Sequence, residues 1–196
     1  MLPNSIKNFA DLFSSLPSIG PRQAVRLAFY LITGGRNKVY EIGKALMELS
    51  KVKICAQCFF TFEPEDQTKT FCSICSNPDR RRDVVAIVEK ETDLMSLEKT
   101  KKFIGRYLVI GSLKKDAVFE GYQKARLETL KKSAPFEEVI IATNLTTYGD
   151  LHASLISQEL KDLSKKITRL GRGIPTGGEI EFADEETLGA ALDRRV

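Results

Sequence analysis

The chain has no uninterrupted apolar run near the roughly 20 residues that a membrane span needs, so no transmembrane segment is expected. Its first residues, MLPNSIKNF, lack the apolar stretch of a secretory leader, and the sequence reads as cytoplasmic. No G-x-x-x-x-G-K-[ST] occurs anywhere, which leaves nucleotide hydrolysis without a visible site. There is one histidine, His152, far in sequence from the cysteines and not needed beside them as a ligand. Cysteine is scarce, and in a reducing compartment four thiols serve more readily as metal ligands than as disulfides. Internal repeats and low-complexity tracts are absent.

What is present is an ordinary globular composition, 42% hydrophobic and 29% charged. A length of 196 residues suits one domain or two small ones with a real core. The net charge of +4 does not by itself point to nucleic acid. Its distribution says more. Residues 1–54 carry Lys7, Arg22, Arg26, Arg36, Lys38, Lys44, Lys51 and Lys53 against Asp11, Glu41 and Glu48, a net of +5, so the positive excess sits at the N-terminal end.

Apolar spacing predicts a helix over 5–15, with Ile6, Phe9, Leu12, Phe13 and Leu16 at helical intervals. Pro21 suits the first position of the next helix, where its missing N–H would be unpaired in any case. Ala24, Val25, Leu27, Ala28, Leu31 and Ile32 form a broad apolar face there, stopped by Gly34-Gly35. A third helix is expected over 38–50, with Val39, Ile42, Leu46 and Leu49 inward. Beyond Asp83, strands at 84–89, 106–111, 138–143 and 166–171 alternate with helices near 93–101, 119–133 and 150–164. That alternation predicts an α/β domain with a mainly parallel sheet. The fold class is thus α+β in several modules: a helical region over 1–53, a cysteine module over 54–78, an α/β domain over 79–172 and a C-terminal segment over 173–196.

The cysteine module reads Cys55-x2-Cys58, thirteen residues, then Cys72-x2-Cys75. Two such knuckles each offer two thiolates to one tetrahedral Zn2+, and the short loop between them closes the site. A redox pair or four incidental thiols is the alternative. Four cysteines fill the coordination shell, so the metal is expected to be structural and not catalytic. Phe59, Phe60, Phe62 and Phe71 are expected to pack around a module too small for a large core.

Between the first two helices the chain reads LPSIGPRQAVRLAFYLI. This turn resembles the helix-hairpin-helix family, in which a tight turn presents backbone N–H groups to a DNA phosphate. The physics supports it: the first N–H groups of a helix are unpaired and its dipole favours an anion. Gly20 lets backbone approach a phosphate with no Cβ in the way, and Arg22 and Arg26 add charge. The family usually has glycine where this chain has Ser18. The alternative is a purely structural helical hairpin. Arg80, Arg81 and Arg82 are either a solvated run or a phosphate-facing patch; between two DNA-associated modules the patch is expected, so they join Ser18, Gly20, Arg22 and Arg26 as the candidate DNA contacts.

Taken in order, LPSIGPRQAVRLAFYL, the four cysteines, RRDVVAIVEKETDLMSLEKT, EVIIATN and TRLGRGIPTGGEIEFADEETLGAAL resemble the RecR family of bacterial recombination mediators over nearly the whole chain. The resemblance implies a helix-hairpin-helix, a four-cysteine zinc finger, a Toprim domain and a C-terminal segment that serves subunit assembly. It implies a non-enzymatic protein that binds single- and double-stranded DNA as a ring-like homotetramer. With RecO, and RecF where present, it would load RecA onto strands covered by single-strand-binding protein. Catalytic Toprim enzymes hold Mg2+ with a glutamate after the first strand and an Asp-x-Asp after a later one. Glu89 matches the glutamate, whereas the Asp-x-Asp positions fall at Asn144 and Thr146. The family's Glu-Gly-Glu is replaced by Tyr148-Gly149-Asp150, and SLKKDAVFEG at 112–121 lacks the family's Ser-Pro-rich loop. Glu89, Asp93 and Asp150 are the candidates for a RecO contact or a weak Mg2+ site. A metal-dependent Toprim nuclease or primase-like enzyme is the rival reading, and a zinc-ribbon scaffold without DNA affinity is a third.

Overall fold

The computed structural model describes residues 2–112, 118–171, 173–193 and 195, in two compact units, Met1–Val52 and Lys53–Val196. The departure at SLKKDAVFEG therefore falls partly outside the described residues, at 113–117.

In the first unit, α1 (Asn4–Phe13) starts after Pro3, and α2 (Pro21–Thr33) starts with Pro21 at its first position, as expected. Small side chains let the two lie close: Ile6 and Ala10 from α1 and Ala24 and Ala28 from α2 are their buried residues. Gly34 ends α2, and Gly35, at φ +87°, begins α3 (Gly35–Glu48), which closes in a 3-10 turn at Leu49–Lys51. Two expectations fail here. None of Val39, Ile42, Leu46 and Leu49 is buried, and α3 contributes no buried residue. On α2, Leu27 and Ile32 are exposed although the sequence placed them inward. The reason is size: three helices in about fifty residues bury the seam where two of them touch and leave the outer apolar stripes uncovered.

The second unit opens with an antiparallel pair, β1 (Lys53–Ile54) and β2 (Thr61–Phe62), and one turn of helix, α4 (Ser73–Ser76). Then follow β3 (Val84–Val88), α5 (Glu91–Lys99), β4 (Arg106–Val109), α6 (Gly121–Lys131), β5 (Phe136–Ala142), α7 (Thr147–Leu160) and β6 (Ser164–Arg169). A 3-10 turn at Ile180–Phe182 and α8 (Glu185–Asp193) complete it. The strands lie in the order β4–β3–β5–β6, all parallel. Central β3 is buried at every position, which is why VVAIV is an unbroken apolar run and not an alternation.

Successive residues still face opposite sides of the sheet. Val85 and Ile87 join Leu108, Val139, Ile141 and the inner residues of α6 and α7 in the larger core. Ala86 and Val88 join Leu94 of α5, Tyr107 and Val109 in the other. Helices thus cover both faces of the sheet, as a parallel arrangement requires. The expected strands and helices all occur, with ends displaced by up to four residues. No helix among the described residues is long and apolar enough to cross a membrane.

Candidate metal centre and nucleic-acid interface

Cys55 and Cys58 sit on the turn joining β1 to β2, and Cys72 and Cys75 lie at and within the start of α4. All four are buried, and their sulfurs lie within 4.8 Å of one another. Metal–sulfur bonds of about 2.3 Å in a tetrahedron set the sulfurs about 3.8 Å apart. Cys58 Sγ and Cys72 Sγ stand 3.5 Å apart, and the Cys72 amide donates to Cys55 Sγ at 3.4 Å. Contact with the other three thiols pulls the Cys55 thiol down, and the same kind of contact, with burial, pushes Cys58 up. Cys72 is pushed up by Cys55 but brought by Cys58 and Cys75 to about 7. Four buried thiols cannot all ionise without a cation among them, and the cluster can hold a divalent metal such as zinc that would supply it. With four sulfurs the shell is full, leaving no position for water or substrate.

The module is not a separate bead on the chain. The Cys58 carbonyl accepts from the Val109 amide at 2.8 Å, continuing the outer edge of β4. Phe59 packs into the core on one side of the sheet, and Phe60 joins the core on the other. Two consecutive aromatic residues therefore straddle the edge strand like a clasp. Holding Phe59 there takes φ +61°, a left-handed conformation that few bulky residues adopt. Arg126 secures it from α6: its guanidinium donates to the Val109 carbonyl at 3.0 Å and lies 5.0 Å from the centre of the Phe59 ring. Phe60 and Phe62 also pack on the cysteines. Phe71 does not share this role, because it is 49% exposed beside its buried neighbour Cys72.

At the same carboxyl end of the sheet, Glu89 follows β3 and is 8% exposed. Its carboxylate accepts from the Asn144 backbone amide at 3.1 Å and from the Asn144 side-chain amide at 3.3 Å. Thr146 caps α7, its hydroxyl accepting from the Gly149 amide at 3.1 Å. Both Asp-x-Asp positions thus hold structural groups, one a donor to Glu89 and the other a helix cap. Gly149 has a steric reason of its own, since a Cβ there would lie 1.8 Å from the Asn144 carbonyl oxygen. Asp93 caps α5 through the Lys90 amide at 3.0 Å, and Asp150 pairs with Arg169 of β6 at 2.5 Å. Glu89, Asp93 and Asp150 each have a partner elsewhere. Among the described residues only the four cysteines bring three or more potential ligand atoms together.

The turn before α2 is backbone-rich and open. Ser18 adopts φ +64°, the conformation that explains why glycine suits this position. Gly20 is the N-cap, with no side-chain hydrogen bond, and a Cβ added there would meet nothing within 4 Å. The Ala24 amide returns to the Gly20 carbonyl, while among the described residues the amides of Arg22 and Gln23 have no such partner. Arg22 and Arg26 are exposed, and α2 carries no acidic residue. The three consecutive arginines separate. Arg80 donates to the carbonyls of Phe103 and Gly105 at 3.1 and 3.2 Å and pairs with Glu98, which also accepts from the Tyr107 hydroxyl at 2.9 Å. Arg81 makes a two-pronged pair with Asp83 at 3.1 and 2.6 Å. Arg82 is exposed.

The sequence reading missed the clasp, the Asn144–Glu89 pair and the Thr146 cap. Only the last had a local signal, a threonine immediately before a helix start.

Residues 83–171 match the Toprim domain family, and residues 173–196 match the family described as RecR, C-terminal. The chain is 38% identical over 198 residues to recombination protein RecR of Clostridium perfringens, covering 98% of this chain and 96% of the relative. It is 34% identical over 201 residues to recombination protein RecR of Roseiflexus castenholzii, covering 100% and 95%. Against recombination protein RecR of Gloeobacter violaceus the identity is 34% over 199 residues, covering 100% and 98%. With Asn144 and Thr146 in place of paired aspartates, the Toprim domain here is a non-catalytic module of a recombination and repair protein. In length, order of modules and identity, the chain belongs to the RecR family.

Proposed function

We propose that the protein is a DNA-binding recombination mediator that grips phosphates with the turn before α2 and breaks no bond. The observation that carries this reading is the open N-terminus of α2: unpartnered amides at Arg22 and Gln23, an unobstructed Gly20, and exposed Arg22 and Arg26. Backbone amides and guanidinium groups meet the phosphate backbone and read no base sequence. Arg82 adds a free cation at the entrance to the Toprim domain, whereas Arg80 and Arg81 are engaged within their own unit. The metal held by Cys55, Cys58, Cys72 and Cys75 is Zn2+, with a structural role.

The protein works with RecO, and with RecF where present, to load RecA onto strands covered by single-strand-binding protein. Exposed Tyr148 and Leu151 and half-buried Glu91 lie near the residues Glu89, Asp93 and Asp150 in sequence, which supports a protein contact there better than a Mg2+ site. A ring-like homotetramer, about four times 21.9 kDa, accounts for the uncovered apolar residues. Leu12, Phe29, Tyr40 and Met47 are exposed in the first unit, and Ile180, Phe182 and Leu192 in the C-terminal segment, two sets of apolar side chains that a pair of interfaces would cover. Two different self-complementary patches on one chain close into a ring of even number.

The test is electrostatic. Arg22→Ala and Arg26→Ala are expected to weaken DNA binding and to lower the slope of affinity against salt by roughly one counterion each. Unchanged affinity and slope would remove the turn from the interface. Metal-dependent cleavage or primer synthesis abolished by Glu89→Gln would instead establish the enzyme reading.

A further inference from the structure

We propose that the outer face of α2 carries a nucleobase site for single-stranded DNA, with Tyr30 as the stacking surface. The proposal rests on the DNA-binding reading above and adds what the strand must present there: an unpaired, unstacked base.

At 100° per residue, Gln23, Arg26, Leu27 and Tyr30 share one side of α2, opposite the buried Ala24 and Ala28. Together they line an open hollow of about 460 Å3. Tyr30 is 60% exposed although Leu27 lies one turn before it on the same side of the helix. Its position is nevertheless held. Lys38 of α3 donates to the Tyr30 hydroxyl at 2.8 Å, and its ammonium lies 4.1 Å from the ring centre. A ring already fixed loses little freedom when a base lands on it.

The chemistry around the ring fits a nucleotide and not a purely apolar partner. Arg26 lines the hollow, Lys38 sits against the Tyr30 ring, Arg22 lies one turn before Arg26, and α2 contributes no acid to offset them. Arg22, Arg26 and Tyr30 recur every four residues, about 6 Å along the axis, a step close to the spacing of successive phosphates in an extended strand. Gln23 offers both a donor and an acceptor for a base edge, and Leu27 an apolar contact for its face. A duplex keeps its bases stacked and out of reach of such a platform, so it contacts only the phosphate-binding turn. The hollow therefore favours single strands, which every base can exploit because every base has a π-face.

The full-length protein is titrated with a fluorescent oligo-dT, a duplex of equal length and an abasic oligonucleotide. Tyr30→Ala is expected to lose roughly 5- to 100-fold in affinity for oligo-dT. It should bind duplex and abasic strand like the parent, and Tyr30→Phe should restore the oligo-dT affinity. Since the chain has no tryptophan, Tyr30→Trp places a single reporter at the site, whose emission oligo-dT should quench and the abasic strand should not. Equal binding of oligo-dT by Tyr30→Ala and the parent overturns the proposal, while a loss on Arg22→Ala in the same titrations preserves the phosphate grip. A fall in solution mass for Tyr30→Ala with unchanged oligo-dT affinity also overturns it, assigning the face to contact between copies of the chain. If neither Tyr30→Ala nor Arg22→Ala alters any titration, the DNA-binding reading of the turn fails as well.

Discussion

Phe59 gives the sharpest test of how the metal module is attached. Its ring is part of the larger core beside β4 and lies under Arg126, yet its backbone sits at φ +61°. Truncating a fully buried phenylalanine costs about 3–5 kcal/mol, and a partly buried one about half of that. Losing the contact with Arg126 adds about 0.5–1 kcal/mol. Phe59→Ala should therefore destabilise the metal-loaded protein by about 2–3 kcal/mol. Alanine keeps the Cβ and so keeps the left-handed penalty, which glycine escapes by about 1 kcal/mol. Phe59→Gly should accordingly be the milder substitution, although it removes more of the side chain. In an ordinary extended segment the order is reversed. Urea unfolding followed by far-ultraviolet circular dichroism measures both, and thermal melts should separate the two variants by about 2–4 °C. If glycine proves less stable than alanine, the strained clasp described here is wrong.

Three further outcomes follow from the same geometry. Ser18→Gly should raise the stability of the first unit by about 1 kcal/mol, read by the urea midpoint, without weakening DNA binding, because Ser18 stands at φ +64°. Removing the metal with a strong chelator, or breaking its shell with Cys58→Ser, should release the clasp from β4; amide exchange at Val109, whose donor is held by the Cys58 carbonyl, reports it. Protection of that amide surviving chelation would mean that the module folds without its metal. Asn144→Asp should replace a donor to Glu89 by a second carboxylate, lowering the melting temperature in the absence of Mg2+ and recovering it when Mg2+ is added. Equal melting with and without the ion would show that the sheet end cannot be returned to a metal site by one substitution.

The sheet was legible in the sequence because each of its parts is local. VVAIV is apolar throughout, as a strand covered on both faces must be, and Pro21 and Gly34-Gly35 mark helix ends through their own backbone limits. The cysteine cluster was legible for a similar reason: two Cys-x2-Cys pairs bring their own geometry, and a short loop is enough to join them. The replacement of Asp-x-Asp by Asn144 and Thr146 could also be read directly, but not what these residues do instead. That depends on β3 and β5 being neighbours, which puts Glu89 beside a residue 55 positions away.

The inward face assigned to α3 failed for the converse reason. Periodicity identifies an apolar stripe but not what covers it, and in a unit this small the described residues bury none of α3. The fate of the arginines was equally beyond the sequence. Arg80, Arg81 and Arg82 are alike as letters, yet one is fixed under α5 by Glu98, one is held by Asp83, and one faces solvent. What the sequence determined by itself was the set of modules, their order, the four-cysteine cluster and the loss of the paired aspartates, all carried by residues close together along the chain. Only the tertiary structure decided which charges stay free, which apolar faces stay open, and how two phenylalanines lock the cysteine module onto a sheet edge. Those outcomes rest on contacts between distant segments, and burial and pairing are properties of the neighbours that folding brings together.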